Sequence, residues 1–241
     1  MERLKMNDLR GFKAFFFDMD GVVFNSMPVH AEAWEIVMGK HHLPFTARDC
    51  YLQEGRTGQS VIDECFVRCY GRHATDDEWQ PIYKEKSALF YSHGKAPLID
   101  GIRDLLFWLK QHPASPLIFL VTGSGMRSLL DELNEELPGI FARERMVTAF
   151  DYTHGKPDPE PYLIAYEKAR ATCPDLRKEE CCVVENAPLG VLSGKQAGLF
   201  VAAVNTGILT EHDLLAAGAD ITFPNMPALH TYLQTPQPHH L

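Results

Sequence analysis

The sequence predicts an α/β protein: a doubly wound parallel sheet with a block of helices inserted after its first strand. Three observations predict it. Short, uniformly apolar runs alternate with segments of helical hydrophobic spacing, as expected of strands buried on both faces. Residues 26–95, directly after the first apolar run, show helical spacing and no convincing strand. The apolar runs end in acids, a hydroxyl and a lysine, and open α/β sheets bind ligands beyond the carboxyl ends of their strands.

Taken in order, Lys13 to Phe17 reads as a buried strand that stops at acidic residues and a glycine. Val29 to Met38 has helical spacing, with Ala31, Trp34, Val37 and Met38 on its inner face. Ser60 to Cys69 repeats the pattern through Val61, Cys65 and Phe66. Thr75 to Tyr91 repeats it again, with Thr75 and Glu78 as a capping box. Gly101 to Lys110 is a helix, and Leu117 to Thr122 a fully apolar strand ending at Gly-Ser-Gly. A helix is expected from Arg127 to Leu137, and a short strand from Met146 to Ala149. Pro159 to Ala171 is helical, with proline in its first turn. Cys181 to Val184 is a strand, Leu189 to Ala197 a helix, Phe200 to Val204 a strand, and Asp220 to Phe223 an edge strand. The expected division is residues 1–25 and 96–241 for the sheet domain and 26–95 for the helical insert.

Composition narrows the function. Of 241 residues, 45 % are hydrophobic and 23 % charged, enough for a core without staples. With 23 Lys plus Arg against 32 Asp plus Glu, the net charge of -9 argues against broad binding to nucleic acid or anionic membrane. No apolar run reaches the length of a membrane span, and none has the pattern of a signal peptide. The six cysteines form no C-x-x-C pair and read as reduced thiols in a cytoplasmic protein. Cys65 and Cys69 read as one buried helix face; Cys181 and Cys182, adjacent on a strand, must face opposite sides. The Pro- and His-bearing C-terminal tail reads as frayed.

The strand-end residues carry the chemistry. Asp18 and Asp20 follow the first strand, and Thr122, Gly123 and Ser124 the second. Gly155, Lys156, Pro157 and Asp158 precede a helix, and Glu185 with Asn186 ends CCVV. A carboxylate can attack phosphorus, and a second one two residues on can protonate the leaving oxygen and later deprotonate water. Nucleophile and substrate are both anionic, so a hard dication on oxygen ligands is expected, and Mg2+ suits that role. Lys156 and Thr122 supply a positive charge and a hydrogen bond to the transferring oxygens.

FFFDMDGVV, LVTGS, GKPDPEPY and VVENAPLGV, in that order, resemble the four motifs of the haloacid dehalogenase superfamily, from about Phe12 to Asn225. The resemblance implies that Asp18 becomes an aspartyl-phosphate and that Asp20 is the general acid/base. It implies that Thr122 and Lys156 hold the phosphoryl group. A metal would fall to Asp18, the Asp20 carbonyl, Glu185 and Asn186. Dehalogenases need no leaving-group acid and lack the second aspartate, so Asp20 argues against dehalogenation.

The insert resembles the small α-helical cap of the β-phosphoglucomutase-like subgroup. On that resemblance His30 contacts the active site on closure, Arg56 binds the distal part of the substrate, and Ser124 can meet it from the core. Lys84 or Lys86, on the third helix of the insert, could add positive charge to the cleft, but a solvated helix face is the favoured reading of both. The subgroup's usual acidic pair is here Glu185-Asn186, one negative charge short. Glu54, two residues before Arg56, is expected to swing in and complete the metal site. With EGRTG, VTGSG, VTAFD and ENAPLGV, the chain resembles most closely an inorganic pyrophosphatase branch of the subgroup. The expected substrate is therefore pyrophosphate, met by a monomer, with Mg2+ as cofactor. A β-phosphoglucomutase, a hexose- or nucleotide-phosphate phosphatase, and a non-catalytic ligand-binding protein remain alternatives.

Overall fold

A computed structural model of the chain describes residues 9–124 and 129–235. The expected start of a helix at Arg127, the first eight residues and the end of the C-terminal tail lie outside the described residues.

The sheet has six parallel strands: β1 Ala14–Phe17, β2 Leu117–Val121, β3 Met146–Val147, β4 Cys181–Glu185, β5 Phe200–Val204 and β6 Ile221–Phe223. Their order is β3-β2-β1-β4-β5-β6. Strand order reverses at β1, so its carboxyl end sits at the topological switch point, where such sheets bind ligands. Phe17 pairs with Leu120 on one side and Val184 on the other, which sets the residues after all three strands side by side. β6 forms the expected edge, and β3 is shorter than its apolar run suggested, with only two residues paired.

Between β1 and β2 lie α1 Met27–Lys40, α2 Ala47–Leu52, α3 Gly58–Tyr70, α4 Asp76–Ser92 and α5 Ile102–Gln111. The rest alternates with the strands: α6 Leu129–Glu136, α7 Glu160–Thr172, α8 Pro188–Gln196, α9 Glu211–Ala216 and α10 Met226–Gln234. The sequence reading did not resolve α2, α9 or α10. Two of them are single short turns capped by Thr46 and Thr210, too brief for a hydrophobic period to register.

Two cores flank the sheet. Phe15, Phe17, Leu105, Leu120 and Cys182 belong to one, and Phe16, Phe119, Val121, Tyr162 and Cys181 to the other. Strand alternation therefore sends Cys181 and Cys182 to opposite faces, as expected, and both are buried. On α3 Cys65 is buried but Cys69, in the last turn before the helix ends at Gly71, is exposed; the six cysteines are all unpaired. A third cluster belongs to the insert, with Trp34, Val37, Met38, Ile62, Cys65 and Phe66 at its centre.

The insert leaves and rejoins the sheet at one point. Asn25 N–H donates to Pro97 O at 2.8 Å, and Phe24 bridges Leu98. A second tie lies on the far side, where Leu209, from the loop after β5, packs into the insert's own cluster. Arg48 on α2 pairs with Asp213 on α9 at 2.8 Å. Among the described residues no helix is long and apolar enough to cross a membrane.

Leu105 is fully buried in the first core. Leu105→Ala is expected to cost about 2–5 kcal/mol in urea unfolding, from lost burial plus a residual cavity.

Candidate active site

The lysine after β3 ties the centre together. Lys156 Nζ donates to Asp18 Oδ1 and, at 2.6 Å, to Glu185 Oε1. All three side chains are buried. Glu185 Oε1 also accepts from Tyr162 Oη on α7 at 2.8 Å, while Oε2 accepts from the backbone N–H groups of Asn186 and Ala187. Gly190, in the first turns of α8, lies so close that a Cβ there would meet Glu185 Oε1 at 1.8 Å.

Glu185, expected among the metal ligands, accepts four hydrogen bonds with its two oxygens, which hold Lys156 and the turn into α8. Among the described residues, no three His, Cys, Asp or Glu side chains form a metal-holding group. Oxygens of another kind are available. Glu54 Oε1 and Asn186 Oδ1 are both buried without a hydrogen-bond partner. Their other atoms meet, Asn186 Nδ2 donating to Glu54 Oε2 at 3.0 Å. Gly21, at φ +78°, lets the Asn186 amide lie against motif-one backbone, since a Cβ there would meet Nδ2 at 2.1 Å. Buried acceptor oxygens with no donor are costly. A hard cation held by Asp18, the Asp20 carbonyl, Glu54 and Asn186 would relieve that cost, so the residues fit Mg2+.

The charges agree with that fit. Burial pushes the Asp18 carboxyl up to about 7; Lys156 pulls it down, and Glu185 and Asp20 push it further up. Burial also drives Glu54 well above the usual carboxylate range, aided by the charges of Asp18, Glu185 and Asp20. Lys156 is raised well above an ordinary lysine, because Asp18 and Glu185 outweigh its burial.

Asp20 is held differently. Ser26 Oγ, just ahead of α1, donates to Asp20 Oδ1 at 2.5 Å, and His30 Nε2 lies 3.7 Å from the same oxygen. Lys86 Nζ meets His30 Nδ1 at 2.7 Å, which makes Nδ1 the acceptor and leaves the ring proton on Nε2, facing Asp20. Burial alone would raise Asp20, but His30, Ser26 and Lys86 outweigh it and keep it below its ordinary value. Lys86 itself, buried under Trp34 and Phe90, is pushed down to about 8.

Lys86 corrects one expectation, the favoured reading of it as a solvated helix residue. It is 5 % exposed, whereas Lys84 faces solvent. The signal was available: Ile82, Lys86 and Phe90 share one stripe of α4 at four-residue spacing. Ser26 and Tyr162 also escaped the sequence reading, because their role depends on a partner distant in sequence.

A cavity of about 820 Å³ opens between sheet and insert. Asp18, Asp20, Lys156 and Glu185 line its floor, with Gly123 and Ser124 beside them. His30, Glu54 and Arg56 line it from the insert. Thr122 and Asn186 are buried behind the wall; Thr122 Oγ1 accepts from Ser124 N–H at 3.0 Å. Gly55 lies against the Lys156 side chain, so the loop carrying Glu54 is closed down on the floor.

A family model for haloacid dehalogenase-like hydrolases matches residues 12–198. The chain is 28 % identical to validoxylamine A 7'-phosphate phosphatase of Streptomyces hygroscopicus subsp. limoneus, over 89 % of this chain and 94 % of that one. It is 30 % identical to hexitol phosphatase A of Escherichia coli, over 84 % and 89 %. Among solved structures, a candidate β-phosphoglucomutase from Bacteroides vulgatus superposes with a TM-score of 0.83 at 41 % identity, covering 93 % of this chain and 91 % of that one.

The raised Asp18 carboxyl fixes the sign of a pH effect. The unfolded chain ionises Asp18 near 3.8 and the fold near 7, so the metal-free protein loses stability across that window as pH rises. Asp18→Asn is expected to melt higher than the parent in metal-free buffer at pH 8. That advantage should shrink steadily towards pH 5 in thermal scans.

Proposed function

Because the chain belongs to the haloacid dehalogenase-like hydrolase family and is β-phosphoglucomutase-like within it, we propose a Mg2+-dependent phosphohydrolase with Asp18 as nucleophile and inorganic pyrophosphate as preferred substrate. The observation that carries the reading is the buried Lys156 bridge between Asp18 and Glu185, with Asp20 on a separate hydrogen-bonded line from the insert. Residues 26–95 act as the cap, over a core of residues 1–25 and 96–241. The enzyme works as a monomer, and its unpaired thiols suit the cytoplasm.

Bound Mg2+ supplies the charge that offsets repulsion between Asp18 and the phosphoryl group. The chain's own residues do the rest. Lys156 and the Thr122–Ser124 turn hold the phosphoryl oxygens in line with Asp18. An Asp18 oxygen bonds to phosphorus as the bond to the leaving oxygen breaks, and Asp20 gives that oxygen its proton. Free Asp20 sits below its ordinary pKa, so it must gain this proton as the anionic substrate arrives, when added negative charge raises its pKa. In the second half Asp20 takes a proton from water, which attacks phosphorus and frees Asp18. His30 and Lys86 orient Asp20 for both transfers.

Pyrophosphate is favoured by the Glu54–Asn186 contact, which holds the cap loop down over the floor. Its leaving group, phosphate, would meet Arg56. A second reading, hydrolysis or mutation of a sugar phosphate, has its own support. The 820 Å³ cavity with Trp34, Phe45 and Phe90 in its wall exceeds what pyrophosphate requires, and the relatives named above are phosphatases of organic phosphates.

Phosphate release from purified protein with Mg2+ should be fastest with pyrophosphate, measured beside hexose phosphates, and Asp18→Asn should reduce it at least about a thousandfold. Glu54→Ala should lower kcat/KM for pyrophosphate by about 10- to 100-fold. Pyrophosphate turnover that is slower than that of sugar phosphates, or indifferent to Glu54→Ala, would reject the pyrophosphate assignment and leave the second reading.

A further inference from the structure

The turn that carries Glu54 is braced from one side by a residue with no place in the cavity. Gln53 closes α2, and Arg56 N–H donates back to Gln53 O at 3.2 Å, making a tight turn through Glu54 and Gly55. Gln53 and Arg56, the residues that flank this turn, both line the cavity, and both reach the same carboxylate. Glu64, on α3, accepts from Gln53 Nε2 at 3.2 Å with Oε1 and from Arg56 Nη1 with Oε2. Each oxygen thus serves one end of the turn. Glu64 is 40 % exposed and is not part of the cavity wall.

We infer that Glu64 is a positioning residue for recognition of a substrate's second anionic group, fixing the Arg56 guanidinium towards the cavity and holding Gln53 in register with it. The inference rests on the reading of Arg56 as the distal-anion residue. Chemistry supports the division of labour. A guanidinium carries five N–H donors in a rigid fork, so anchoring one edge on a carboxylate leaves the others aimed and their rotamers chosen. Without that anchor the long side chain samples many rotamers and must be ordered again on binding. Gln53 shows the same one-sided restraint: its Nε2 is engaged by Glu64 while its Oε1 is buried with no partner. Both side chains are set by α3 before any ligand arrives.

The arrangement also separates this pair from Lys156. The core lysine holds the phosphoryl group that reacts, and it is ordered by Asp18 and Glu185. Arg56 is ordered by the insert alone. Selectivity for a substrate with two anionic groups over one with a single group is therefore set in part by the turn after α2 and its brace on α3, beside the contribution of Glu54 at the reacting centre.

The test compares Glu64→Gln, Arg56→Ala and the double variant on two probes: pyrophosphate, with a second anionic group, and 4-nitrophenyl phosphate, which lacks one. The quantity read is the ratio of kcat/KM for pyrophosphate to that for the aryl phosphate. Glu64→Gln should lower this ratio by about fivefold, in keeping with the loss of one part-exposed ion pair, mainly through a higher KM for pyrophosphate. In the Arg56→Ala background the same substitution should change the ratio no further. Glu64→Asp should restore part of it. Thermal melting of each variant within a few degrees of the parent confirms a folded protein. If Arg56→Ala lowers the ratio but Glu64→Gln does not, the inference fails while the reading of Arg56 stands. If Arg56→Ala leaves the ratio unaltered, both fail. A lower KM for pyrophosphate in Glu64→Gln overturns the inference as well, since Glu64 would then compete with the ligand.

Discussion

The structure turns on one buried ammonium between two buried carboxylates. Three charged groups away from water are tolerable only because each satisfies another. Lys156 comes from the segment before α7, Asp18 from the end of β1, and Glu185 from the end of β4. Tyr162 and the first backbone N–H groups after β4 complete the shell around Glu185. The site is thus a consequence of strand register: with Phe17 level with Val184, the next residues on β1 and β4 are Asp18 and Glu185. A one-residue slip would send these side chains to opposite faces.

One net negative charge remains. Two carboxylates against one ammonium leave a surplus that Asp20 and Glu54 increase, which is why burial and like charge together raise Asp18 and Glu54. Asp20 escapes the same fate through the insert, where Ser26, His30 and Lys86 form a line of donors leading to its carboxylate. Two acids two residues apart therefore have opposite pKa shifts, one up and one down, and such a split marks groups with different tasks. Nucleophile and proton carrier are separated by which domain's donors reach them.

The insert acts on the core through two distinct segments. The α1–α4 pair supplies His30 and Lys86, and the turn after α2 supplies Glu54 and Arg56. Both converge on the carboxyl edge of β1 and β4 because the insert is tied at Asn25–Pro97 and again by Leu209 and Asp213 on the far side. The Asn186 amide is the meeting point of the two parts. In place of an acid, it offers an N–H to Glu54 and an oxygen that no protein donor reaches.

Much of this was legible in the chain. Short uniformly apolar runs marked the strands and period-3.6 hydrophobicity the larger helices, and their order implied a parallel sheet with an insert, because a run apolar at every position is buried on both faces while helical spacing reports one buried face. Asp18, Asp20, Lys156 and Glu185 were legible as a group, since polar residues at the ends of apolar strands must share one edge of such a sheet. Partners were not. Sequence favoured a solvated Lys86; only tertiary packing showed Lys86 buried under Trp34 and Phe90, and Glu185 hydrogen-bonded by Lys156, Tyr162 and backbone. Types and spacings of residues set the periodicity and therefore the fold, whereas the state of an ionisable side chain depends on groups brought within a few ångströms from far along the chain, and no local pattern encodes that distance.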